Sequence, residues 1–168
     1  MNNRGQFETK LLIIVMIFII GIILFFFSHV NKQLYDSLDE YFEDSEYANT
    51  TAHETLEDIQ TLEGSNIWDW VFLAIYIGLV LQMIMFSFAT RINVAFYWIY
   101  ALLGMIILVV GTVLSNTWQA MVVNPEFAVT ITRFPITNLI LGSYYPLFIT
   151  FILFIGMIIL FGKRGNEV

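Results

Sequence analysis

Four apolar runs constrain this chain more than any other feature: residues 11–27, 67–89, 94–114 and 139–161. Each is close to the roughly 20 residues that a helix needs to cross about 30 Å of hydrocarbon. Helices of a soluble bundle carry a polar stripe, whereas "LLIIVMIFIIGIILFFF" has none and "ALLGMIILVVGTVL" offers only glycines and one threonine. With 58% hydrophobic and 12% charged residues in a chain of 168, the apolar surface exceeds what one domain of this size hides in its own interior. The expected fold is an all-α membrane protein with four transmembrane helices, over residues 11–29, 67–89, 94–114 and 139–161, solvated by the lipid bilayer.

Sidedness follows from Lys and Arg at the ends of the spans. With the 1–10 segment in the cytoplasm, Arg4, Lys10, Arg91, Lys163 and Arg164 lie inside and only Lys32 and Arg133 outside, five against two. Both termini, 1–10 and 162–168, and the turn at 90–93 are therefore expected to be cytoplasmic. Residues 30–66 and the 115–138 loop are expected outside, at the cell or virion surface.

The formal net charge of −7 belongs to one segment, because ten of the fourteen carboxylates fall between residues 36 and 63. Leu34, Leu38, Tyr41 and Phe42 recur at helical spacing, as do Leu56, Ile59 and Leu62, with acids on the remaining faces. The pattern predicts an acidic helical hairpin over 30–66. Thr51 and Glu54 have capping-box spacing for its second helix, and Gly64 is a natural stop. No Pro or Gly interrupts residues 22–46, so the first span is expected to continue outward as a stalk of roughly 24 Å over 31–46. Asn49-Thr50-Thr51 in the predicted turn matches the glycosylation acceptor pattern, making Asn49 a candidate; a polar turn without sugar is the alternative. The carboxylates themselves read as a hydrated face, since no D-x-[DN]-x-[DN]-G loop organises them. "HETLE" has the start of H-E-x-x-H but an acid where the second histidine belongs, so His53 and Glu57 read as surface residues rather than zinc ligands.

The span interiors contain no ionisable residue, which argues against charge-coupled transport. Asp69 lies between Trp68 and Trp70 at the outer end of the second span, within an interfacial belt; pairing with Arg133 and independent hydration are both open to it. Small and polar residues mark expected helix contacts: Tyr97, Gly104 and Gly111 on the third span, Gly78 and Gln82 on the second, and Gly142, Pro146 and Thr150 on the fourth. Gln82 is the only strongly polar side chain at depth. Pro146 is expected to kink the fourth helix or mark a short non-helical stretch. In the outer loop, "FAVTITRFP" alternates like a short strand, while Trp118, Met121, Val122 and Phe127 are apolar enough to form a lid on the bundle.

The start "RGQFE" before an apolar helix resembles the class III (prepilin-type) leaders of archaeal pilin-like proteins, in which a basic residue and a glycine precede a glutamine. The resemblance covers about the first 27 residues and implies a cut between Gly5 and Gln6. Two features depart from the pattern: the acid falls early, at Glu8, and three more spans follow where a pilin has one. An uncleaved first span with a short basic flank is the other reading.

Without cysteine the chain has no disulfide, no thiolate nucleophile and no cysteine metal site. No nucleophile–base–acid set, phosphate-cradling loop or metal cluster is visible, so neither catalysis nor a cofactor is expected. The acidic exposed segment would repel nucleic acid. Two functions remain. One is a structural or assembly subunit of a membrane complex, in an archaeal envelope, an appendage machine or a viral membrane, with other membrane proteins or its own copies as partners. The alternative is a small oligomeric channel or holin-like pore, which calls for several polar residues along one face of a span.

Overall fold

The computed structural model describes residues 3–43, 51–64, 66–89 and 94–164, and the described residues are helical almost throughout, with no strand among them. The long helices are α1 (Asn3–Glu43), α3 (Ile67–Ala89), α4 (Val94–Val122) and α7 (Tyr145–Arg164); shorter ones are α2 (Thr51–Gly64), α5 (Ala128–Ile131) and α6 (Pro135–Leu141). A 3-10 turn covers Pro125–Phe127. Three helices, α1, α3 and α4, are long and apolar enough to cross a membrane. A fourth crossing exists if α6 and α7, bent by 68° at their junction, count as one span.

Helix α1 is continuous over 41 residues, about 61 Å at the α-helical rise, as expected from a stretch free of breakers beyond residue 21. Its inward side is Lys10, Ile13, Ile14, Ile17, Phe18, Gly21, Phe25, Ser28 and His29, the 3.6-residue period of a helix packed along one face. That face lies against α3, and α3 and α4 both pack on α7. At Gly21 a β-carbon would run into Leu141 and crowd Phe72, so a side chain-free position lets α1 approach α3 and α6 closely. Helix α2 packs beside α1, with the His53 ring stacked on Phe42 and its Nε2 2.9 Å from Asp39 Oδ1. It ends at Gly64, where the sequence places a stop. Asn66 then takes a left-handed φ of 60°, and its carbonyl accepts the first amides of α3, from Asp69 at 3.0 Å and Trp70 at 3.2 Å.

Three boundaries differ from expectation. Helix α4 runs to Val122, eight residues past the expected end at 114, because Ser115, Trp118 and Met121 continue its inward stripe and the next proline is Pro125. The alternating "FAVTITRFP" is not a strand. Lone extended backbone at this position would have no ladder partner, and local bonds take its polar groups instead: Phe127 N to Asn124 O, Arg133 N to Thr130 O and Phe134 N to Ile131 O. The run at 139–161 is likewise not one straight helix. It breaks at residues 142–144, where Gly142 ends α6 and Pro146, lacking an N–H, fits only in the first turn of α7.

Candidate functional site

Most of the buried polar ties between helices gather at one end, around the segment of residues 123–144 that joins α4 to α7. Asp69, in the first turn of α3, is only 1% exposed. Its Oδ2 accepts Ile136 N at 2.8 Å, and its Oδ1 accepts Thr137 N at 2.7 Å and Thr137 Oγ1 at 2.6 Å. The reason lies in α6. Phe134 at its N-cap has no side-chain oxygen and Pro135 has no N–H, so the next two amides need an acceptor from elsewhere, and α3 supplies it. Charge-assisted bonds of this kind are about twice as strong as neutral ones. Asp69 is thus neither hydrated independently nor paired with Arg133; both carboxylate oxygens are taken by α6.

Three further ties fix the same segment. Trp118, fully buried, donates its Nε1–H to Asn138 Oδ1 at 3.0 Å. Ser115 Oγ donates to the carbonyl of Gly142 at 2.6 Å, satisfying the end of α6, and Gln119 Nε2 donates to Ser115 Oγ at 3.2 Å. His29 of α1 sits between Thr130 Oγ1, 2.8 Å from its Nδ1, and Gln33 Nε2, 3.1 Å from its Nε2. Beneath these ties Phe25 meets Trp118, Phe127 and Phe134 edge-on at centroid distances of 5.4, 5.4 and 5.5 Å. The segment read as an outer loop is an ordered helical cap.

The remaining candidates separate by face. Gly111 is buried against Ile149 of α7, and a β-carbon there would collide with it; Gly104 is in ordinary contact with Leu153, 3.7 Å from its β-position. Gly142 forms the turn, where a β-carbon would strike the Asn138 carbonyl, and Pro146 opens α7. Gly104 and Gly111 thus face α7, whereas Gly142 and Pro146 shape the break between α6 and α7. Gly78 and Gln82 both point away from the rest of the protein, and nothing lies within 4 Å of the Gly78 β-position. Trp68 is half-buried with its ring on Phe27 at 5.0 Å, Trp70 is exposed, and Arg133 is half-buried. Gly5 and Gln6 fall within α1. Asn49 lies outside the described residues.

Several residues were not singled out by the sequence. Lys10, placed as a flank, is buried and donates to Ser87 Oγ at 3.0 Å, while Ser87 donates to Met83 O at 3.2 Å. Tyr145 donates its hydroxyl to the Ile14 carbonyl at 2.7 Å, joining α7 to α1. Lys10, Gly21, Ser28 and His29 are the exceptions to uniform apolarity between residues 10 and 29, and they share one helical face, which was the available signal.

The architecture defines an all-helical protein with three or four helices suited to crossing a membrane. Beyond that class, the chain matches no protein-family model, no curated protein and no solved structure.

Proposed function

We propose that this is a non-enzymatic structural or assembly subunit of a membrane complex, with both termini cytoplasmic and the acidic 30–66 segment and the cap on the outer side. The observation that supports it best is the state of Asp69. A carboxylate buried at the mouth of a helical bundle is the group that a transporter or a hydrolase would aim at its solute. Here both oxygens are occupied by backbone and hydroxyl donors of α6. His29, Trp118, Ser115 and Tyr145 are likewise engaged in bridging helices. The polar chemistry of this protein holds a shape.

That shape leaves much of its apolar surface for neighbours: only 17% of the apolar window of α3 and 22% of that of α4 is buried within the chain. Lipid, other membrane proteins or further copies cover the rest. In native membranes solubilised with a mild detergent, the protein should migrate well above its own 19.5 kDa. Reconstituted in planar bilayers, it should carry no unitary current. Stable single-channel currents that Gln82→Leu abolishes would replace this reading with an oligomeric pore. Intact-mass measurement reads two subsidiary points at once, a cut between Gly5 and Gln6 and a sugar on Asn49.

A further inference from the structure

Gln82 is a strongly polar side chain, well inside its span, that the fold leaves out. It lies on the outward face of α3, and no hydrogen-bond partner for it exists among the described residues. The exposed hydroxyls of the spans do not share this condition. Thr112 returns its hydroxyl to Leu108 O at 2.9 Å and Thr150 to Pro146 O at 2.7 Å, so each is satisfied by its own helix. Gln82 makes no such bond to its own helix, and hydrocarbon offers its amide neither donor nor acceptor.

One and two turns before Gln82, on the same face, stand Gly78 and Ala74, both exposed. Their four-residue spacing is the small-xxx-small arrangement that lets two membrane helices bring their backbones together. The space over Gly78 is empty within the chain, so the notch is not filled internally. The exposed face of α4 is apolar over Leu102, Met105, Val109 and Val113, and its exposed amide, Asn116, comes only beside Ser115 at the cap.

We propose that α3 is the contact face of a parallel, two-fold symmetric homodimer, in which Ala74 and Gly78 seat the two helices and the Gln82 amides pair across the axis. The choice of a second copy over another protein rests on complementarity. All copies insert with one orientation, so a symmetric contact puts two Gln82 side chains at the same depth, and a primary amide is both donor and acceptor to its own kind. This inference names the partner within the assembly reading and rests on it.

The chain lacks cysteine, so single-cysteine variants report cleanly. In native membranes under mild oxidation, Ala74→Cys should cross-link to a homodimer, whereas Val109→Cys on the exposed face of α4 should not. Adding Gln82→Leu should weaken dimerisation by about three- to tenfold, the range for one interhelical hydrogen bond, with Gln82→Asn retaining part of it. Gly78→Ile should remove the dimer while the monomer melts no lower than wild type, since nothing of the chain lies within 4 Å of the Gly78 β-position. Equal cross-linking from Ala74→Cys and Val109→Cys would overturn the proposal, as would cross-links from Ala74→Cys to a different protein. Loss of the α3 cross-link with the protein still migrating in a large complex would sink the dimer alone; a free monomer in native membranes would sink the assembly reading as well.

Discussion

Replacing Asp69 with alanine strips the acceptors from three donors at the start of α6 and leaves two of them buried in the backbone, where each unsatisfied amide costs about 1–3 kcal/mol. Melting in detergent, followed by the fluorescence of the tryptophans, should show a large loss of stability for Asp69→Ala. Thr137→Val, which removes one donor along with its bond, should cost only about 1 kcal/mol. Because the two side chains share a bond, the double variant should be less destabilised than the sum of the singles; full additivity would mean that the two do not interact. A smaller effect belongs to Asn66, whose φ of 60° suits asparagine and glycine but not a β-branched side chain. Asn66→Gly should melt close to wild type, and Asn66→Val should lose on the order of 1–2 kcal/mol. Nothing in the sequence around Asp69 announces its partner, since Asp69 and Thr137 are 68 residues apart and the need arises only from Phe134 and Pro135 at the other end of the bond. Trp68 and Trp70 made an interfacial, hydrated acid the simpler expectation.

At the scale of helices, the glycines of α3 and α4 behave in opposite ways, and substitution should separate them. Gly111→Val forces a side chain into Ile149 and should cost about 1–3 kcal/mol through overpacking, with Ile149→Ala recovering part of the loss. Gly78→Ala meets no atom and replaces a poor helix former by the best one, so the isolated monomer should be unaffected or slightly stabilised, by up to ~1 kcal/mol. Phe25→Ala empties the centre of the aromatic cluster under the cap and should cost about 3–5 kcal/mol. Much of this level was legible. The existence and placement of α1, α3 and the contact glycines of α4 follow from run length and from the rule that small residues mark contacts. The rule did not say whether a contact is internal or external, which is why Gly78 and Gln82 were grouped with Gly104 and Gly111. Alternation misled at residues 127–135, because a two-residue period says nothing about whether a partner strand exists. The break at 142–144 was half visible: Pro146 signalled it, but only the cap's geometry fixes a bend of 68° rather than a mild kink.

Taken as a whole, the molecule is an apolar bundle with polar ties at both ends, Lys10 to Ser87 at one and the Asp69, Trp118 and His29 set at the other. Between them lie mainly apolar contacts and the Tyr145 bond to Ile14, which suits a medium in which unpaired polar groups are costly. Helix α1 extends well beyond the length that a bilayer requires, and its far end carries the acids to which α2 is joined through His53 and Asp39. The central proposal is that lipid solvates the long helices, with the acidic end of α1 on the outer side and residues 90–93 on the inner. Single cysteines at positions 40 and 91, challenged in intact cells with a membrane-impermeant maleimide, test this most directly. Glu40→Cys should label at once and Arg91→Cys only after permeabilisation; protection of position 40 together with labelling of position 91 would contradict it.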